Sequence, residues 1–204
     1  FVDMREGLEF LRRHVDAGRG IVATAVHRGG LTALTLTALL LERNTFNDPN
    51  KPEDGLQGFG VALSVAGIGV FLGAILAPYG VAKFGRHRWI KFAMFASAAA
   101  PLILAASQTE IALSVTAFLA SFFGQNIKVT NDALVQSKID DYYRGRVFAV
   151  YDVVVNGAIV SGGLIAALLL PTSGLTPNVP LVVSGAYLLV AVSVLRAAKF
   201  KAIY

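Results

Sequence analysis

Cysteine is absent from the 204 residues. That excludes disulfides, thiolate metal sites and cysteine nucleophiles, and leaves the redox compartment open. Charge is scarce as well: Asp, Glu, Lys and Arg make up 15% of the chain, against about 25% in a typical soluble domain. No G-x-x-x-x-G-K-[ST] phosphate loop, H-E-x-x-H pair or G-x-S-x-G elbow occurs, so no catalytic residues are assigned and an enzyme is not expected. His14 and His87 lack a carboxylate or histidine at metal-ligand spacing, and His27 beside Arg28 reads as a polar packing residue. Neither a metal nor a cofactor is implied. The chain opens at Phe1 without Met, and no cleavable signal pattern precedes the first apolar run. A fragment of a longer polypeptide is the expectation.

What the chain has instead is apolar length. Hydrophobic residues reach 55% and the mean hydropathy is +0.62. The excess falls in long runs separated by short charged patches, the pattern of an integral membrane protein. Six spans are expected, at Gly20–Leu41, Leu56–Val81, Ile90–Ser107, Ile111–Ser137, Val147–Leu170 and Pro180–Leu195. Each approaches the ~20 residues that cross a hydrocarbon core about 30 Å thick. Pro78, Pro101 and the Gly67/Gly69/Gly73 set lie inside them and are tolerated in membrane helices. Gly69 and Gly73 form a G-x-x-x-G pair, read as a seat for a close helix crossing within the molecule.

The formal charge of +5 and the pI of about 9.6 do not indicate nucleic acid, because the basic residues sit between apolar runs. With residues 1–19 inside, every Lys and Arg outside the spans or at their ends falls on the cytoplasmic side except Arg43 and Lys51. Both termini are therefore expected in the cytoplasm. The opposite-side loop "ERNTFNDPNKPEDG" has turn residues and no apolar period, and mobility is expected there. Trp89, beside a basic loop, reads as an interface anchor. Within residues 1–19, Met4, Leu8, Leu11 and Val15 recur at helical spacing. This segment reads as an amphipathic cytoplasmic linker, with a membrane-surface helix as the alternative. Residues 20–204 form the bundle.

Three stretches then resemble a known family. "REGLEFLRRH" followed by a span looks like the end of the central cytoplasmic loop of major facilitator superfamily transporters. "PYGVAKFGRHR" resembles their loop motif G-x-x-x-D-R-x-G-R-R through Lys83, Gly85 and Arg86, with Ala82 at the acidic position and Pro78 at the first glycine position. "LVQSKIDDYYRGRVFAVYD" resembles the L-x-Q-x-x-x-P-x-x-x-R-G-R-V-F segment of the drug- and siderophore-exporter-like branch. It matches at Leu134, Gln136, Arg144, Gly145, Arg146, Val147 and Phe148, with Asp140 replacing the proline. The resemblance covers nearly the whole chain, as the carboxy-terminal six-helix half of a twelve-helix transporter.

The resemblance implies an all-α integral membrane fold of six transmembrane helices in two inverted three-helix repeats. The first and fourth spans would line a central cavity, the second and fifth flank it, and the third and sixth face lipid. It also implies a bacterial-type inner (plasma) membrane, a lipid bilayer around the bundle, a missing amino-terminal six-helix half, and proton-coupled export of a small-molecule substrate. The alternative is a non-transporting scaffold that binds a protein partner in an assembly. Gly85 suits a tight turn. Arg86 and Arg88 could cap carbonyls or meet acidic lipid, and the loop could latch helix ends or only set topology. For Asp141 and Arg144 a local ion pair stands beside a substrate contact.

The charges inside the spans are the candidate site. Each costs about 2.5–3.5 kcal/mol at a bilayer centre on insertion scales, so such groups face protein or water. Arg28, Lys128, Asp132 and Asp152 lie in the first, fourth and fifth spans, while the third and sixth carry none. Lys128 and Asp132 share a helix face four residues apart, as do Asp152 and Asn156. Three readings of this polar seam stay open. One is a substrate path in which Asp132 or Asp152 exchanges a proton, one a static network holding helices in register, and one Arg28 reaching back to the interface.

Overall fold

The computed structural model describes residues 7–195 except 10, 13, 139 and 140. Met4, Arg5, Arg13, Asp140, Arg196, Lys199 and Lys201, which carry parts of the charge-asymmetry and motif expectations, lie outside the described residues. The Asp141–Arg144 pair also involves a side chain outside them.

Among the described residues the regular structure is all helical, chiefly in six helices. They are α1 (Val15–Leu41), α2 (Pro52–Phe84), α3 (Arg86–Ala106), α4 (Glu110–Lys138), α5 (Asp141–Leu169) and α6 (Asn178–Leu189). Short π-helical segments extend α1 over Glu42–Phe46 and α6 over Val190–Val194. Each helix overlaps one expected span. Most run several residues further into polar sequence, because i→i−4 hydrogen bonding does not stop where the apolar run ends. At about 1.5 Å per residue, the 33 residues of α2 reach about 50 Å.

Among the described residues three helices, α2, α3 and most of α5, are long and apolar enough to cross a membrane by length and composition. α6 is apolar but shorter. α1 and α4 are long, yet they hold the polar residues singled out above, which lower their apolar character.

Gly85 makes the α2–α3 turn. Its backbone sits at φ 79°, ψ 152°, a region essentially reserved for glycine. Its N–H donates to the Val81 carbonyl at 2.9 Å, and its own carbonyl accepts from Trp89 at 3.0 Å. Pro101 sits inside α3 and removes one helical donor. Neighbouring helices supply hydroxyls there: Thr116 Oγ1 donates to the Ala100 carbonyl at 3.0 Å and Ser184 Oγ to the Ala98 carbonyl at 2.7 Å.

Helices adjacent in sequence are seldom the main packing partners. α1 and α4 meet centrally, α2 lies along α4, α5 lies along α1, and α3 packs on both α4 and α6, which also meets α1. Missing side chains permit the tightest crossings. A Cβ at Gly69 would come within 2.5 Å of the Phe118 carbonyl oxygen, and one at Gly73 would strike that of Phe122. The G-x-x-x-G pair thus seats α2 on α4 inside the molecule. At the α5–α1 crossing, Gly29 leaves room for the Ala158 carbonyl and Gly162 for Gly29 itself.

The loop after α1 departs from the expected mobile segment. Its first residues are π-helical and its last begin α2. Asn44 Nδ2 donates to the Thr172 carbonyl at 2.5 Å and Thr45 Oγ1 to that of Ser173 at 2.7 Å. Backbone acceptors on the α5–α6 connection, distant in sequence, tie it down. In the amino-terminal segment, residues 7–9 and 11–12 are helical, and α1 already begins at Val15. Of the expected apolar stripe, Leu11 is buried with Val147 and Tyr151, whereas Leu8 and Val15 are exposed.

Candidate functional site

Polar residues inside the bundle separate into two groups. The charged side chains of α1, α4 and α5 named above stay at least partly open, and several neutral polar ones go to the centre. The Lys128 side chain retains 41% of its accessible surface and Asp132 23%. Arg28 is half-buried, and Asp152 and Asn156 are exposed. By contrast His27, Asn126, Asn131 and Thr37 are almost fully buried. The division follows from desolvation, which costs an ion far more than a neutral dipole that finds a partner.

Of the four expected charges, the structure joins two. Lys128 Nζ donates to Asp132 Oδ2 at 2.5 Å, one turn apart on α4. The other carboxylate oxygen accepts from the Tyr151 hydroxyl of α5 at 2.9 Å. Asp152, the residue after Tyr151, points outward instead. Among the described residues neither Asp152 nor Arg28 makes a side-chain hydrogen bond or ion pair. Asn156 Nδ2 donates to the Asp152 backbone carbonyl at 2.8 Å, within its own helix. The expected seam is therefore one Lys128–Asp132–Tyr151 network with Arg28, Asp152 and Asn156 apart from it.

Tyr151 escaped the sequence reading because no spacing rule relates it to Asp132 across two helices. Asn131 did too. Its amide fills the space left by Gly20, where a Cβ would strike Oδ1, and among the described residues neither amide atom finds a hydrogen-bond partner. Thr24 of α1 lies beside it, with its hydroxyl spent on the Gly20 carbonyl at 3.1 Å.

His27 ties four helices. Its ring stacks on Tyr187 of α6 at 4.8 Å, and Nε2 lies 2.9 Å from Ser97 Oγ of α3. Gly124 of α4 has no side chain, so its backbone approaches the imidazole closely. The Tyr187 hydroxyl donates to the His27 carbonyl at 2.9 Å. This packing accounts for a buried imidazole. Among the described residues no group of His, Asp and Glu could hold a metal.

The loop-motif residues gather at the end of the bundle where α2 meets α3 and α4 meets α5. Arg86 Nη1 donates to Ser137 Oγ of α4 at 2.7 Å, which links the α2–α3 turn to the end of α4. Lys83 lies over the Phe84 ring at 5.5 Å, and Arg146 over Tyr142 at 4.6 Å. Arg144 and Gly145 are exposed in the first turns of α5. Trp89, expected as an interface anchor, is half-buried over Gly80 and donates Nε1–H to Asn126 Oδ1 at 3.2 Å. It packs helices together as much as it faces any interface.

The description Major Facilitator Superfamily belongs to the family model that matches residues 21–201. The chain belongs to that superfamily. Similar proteins include an uncharacterized MFS-type transporter of Mycobacterium bovis and another of Mycobacterium tuberculosis. Each is 31% identical over 172 residues, covering 83% of this chain. The chain spans 37% of the length of these curated relatives. No solved structure matches it significantly. Superfamily membership makes this a membrane protein, and an all-helical chain with a polar centre agrees with it.

At the opposite end of the bundle the structure adds a group that spacing did not single out. Glu42, just past α1, is 5% exposed although it was read as a loop charge. Gly58 of α2 leaves room for its carboxyl, and Asn47 Nδ2 donates to Oε2 at 3.1 Å. Burial first, and the negative charge of Glu110 second, raise its pKa above the ordinary carboxylate value, partly offset by the Asn47 hydrogen bond.

Proposed function

We propose that the chain is the carboxy-terminal half of a twelve-helix secondary transporter that works by alternating access and exports a small molecule against proton entry. In this reading residues 1–19 are the cytoplasmic linker, residues 20–204 form six spans, and both termini lie in the cytoplasm of a cell bounded by the plasma membrane. α1 and α4 count as spans because their polar residues turn toward protein or an aqueous path, away from hydrocarbon. The packing pattern supports two inverted three-helix repeats. Exchanging α1, α2, α3 with α4, α5, α6 turns α2-on-α4 into α5-on-α1, and α3-on-α4 into α6-on-α1, and both pairings occur. The loop segments around Lys83–Arg86 and Arg144–Arg146 support the drug- and siderophore-exporter-like branch.

The observation that carries the reading is the carboxylate of Asp132, held between Lys128 on its own helix and Tyr151 on α5. A carboxylate with a cation and a phenol as partners can exchange them when it takes up a proton, and so couples protonation to the α4–α5 contact. Arg28, Asp152 and Asn156 are assigned to the open wall of the substrate path. Separate Asp132→Asn and Asp152→Asn replacements in the full-length protein, reconstituted in vesicles with an imposed pH gradient, test this. Loss of gradient-driven transport in Asp132→Asn is expected, with substrate exchange at equal pH preserved. Gradient dependence surviving in both variants would remove these acids from coupling. No transport by the wild type of any small molecule offered, together with retention on a partner protein, would favour the scaffold.

A further inference from the structure

Between α1, α2 and α4, toward the Glu42 end, lies a partly open cavity of about 150 Å³. Its wall includes Leu31 and Leu34 of α1, Phe59 and Ala66 of α2, and Leu113 and Ala117 of α4, and no charged residue lines it. Three hydroxyls reach it, and two have their protons engaged. Thr35 donates to the Leu31 carbonyl at 2.8 Å and Thr116 to the Ala100 carbonyl at 3.0 Å. The third, Ser121, is 4% exposed and makes no hydrogen bond among the described residues.

Water is poorly served here, since it needs 2–4 polar partners and the wall is apolar apart from three hydroxyls, two of which have already committed their protons. A dry cavity of about this volume lined by aliphatic and aromatic side chains accommodates benzene. We propose that this cavity binds an uncharged, ring-sized apolar group of a small molecule, with the Ser121 hydroxyl as its single hydrogen-bonding contact. Binding stands apart from the transport reading. Only the identity of the guest as part of a transported molecule rests on that reading.

The test uses the full-length protein purified in detergent, with fluorobenzene and 4-fluorophenol as probes followed by ¹⁹F NMR. Both probes are expected to saturate at one site, and 4-fluorophenol to bind more tightly by about fivefold, the worth of one net hydrogen bond. Ser121→Ala should abolish that preference and leave fluorobenzene unchanged. Ala66→Leu and Ala117→Leu, on different helices so that one folded variant suffices, should each weaken fluorobenzene about tenfold or more by filling the volume. Non-saturable wild-type binding, or equal affinity in a folded filled variant, would overturn the proposal. Displacement of fluorobenzene by a few phospholipid molecules per protein would also overturn it, by assigning the cavity to an acyl chain. Vesicle transport measured in parallel separates the two readings, since a protein that binds the probe but moves nothing contradicts transport alone.

Discussion

α1 and α4 differ from α2 and α5 in almost every respect, although each of the first pair packs along one of the second. α1 and α4 carry His27, Arg28, Asn126, Lys128, Asn131 and Asp132 and fail the composition test for a membrane crossing. α2 and α5 pass it and expose large apolar residues such as Phe71, Leu164 and Leu168. A helix enclosed by other helices can afford polar residues, because neighbours solvate them. A helix with few neighbours has fewer such partners, and most of its exposed surface is apolar. Even the Thr residues of α1 follow this rule. Thr24, Thr32, Thr35 and Thr37 each donate to the carbonyl four residues earlier, so an apolar surrounding leaves none of these donors unmet.

The contrast can be broken most strongly at the crossings. Gly73→Val places a side chain into the Phe122 backbone of α4, where nothing flexible can give way. Loss of several kcal/mol, about 3 or more, and a collapse in yield of monodisperse protein on gel filtration are expected. Gly67→Val on the same helix meets nothing within 4 Å, and its thermal midpoint should stay near wild type. Equal damage from the two would mean that α2 does not lie on α4 as described.

A smaller effect is expected inside α1. His27→Ala removes the stack on Tyr187 and the Ser97 contact together, and a loss of about 2–4 kcal/mol in chemical-denaturation stability should follow. Val22→Ala lies on the exposed side of the same helix and should cost well under about 1 kcal/mol. Similar losses at both positions would argue that α1 has no enclosed face.

The smallest effect lies where α1 hands over to α2. The raised carboxyl of Glu42 binds its proton more tightly folded than unfolded. Stability should therefore fall as pH rises from the unfolded value near 4.5 through the raised folded one, and recover on acidification. Glu42→Gln should flatten that slope in thermal midpoints measured across the same window. A slope of unchanged size in the variant would assign it to another acid.

Helix positions were legible in the sequence because apolar runs and their charged borders are local properties. The turn at Gly85 was legible for the same reason, as was the Lys128–Asp132 pair, which needs only 3.6 residues per turn. Tyr151 was not, since its approach to Asp132 depends on how α4 and α5 are placed, and α1 and α2 pack mainly on helices that do not follow them directly in the chain. The charge pattern invited a single seam of Arg28, Lys128, Asp132 and Asp152. Rotation of each helix about its axis instead left Asp152 outside and turned Tyr151 inward.

Taken alone, the sequence determined that this is a helical membrane protein, where its helices run and which of them carry polarity, because these depend on composition and period along one chain direction. Tertiary structure decided which polar groups meet, which glycines become contacts and that Glu42 is enclosed. Those outcomes depend on helix rotation and partner choice, which backbone contacts many residues apart impose and no local pattern encodes.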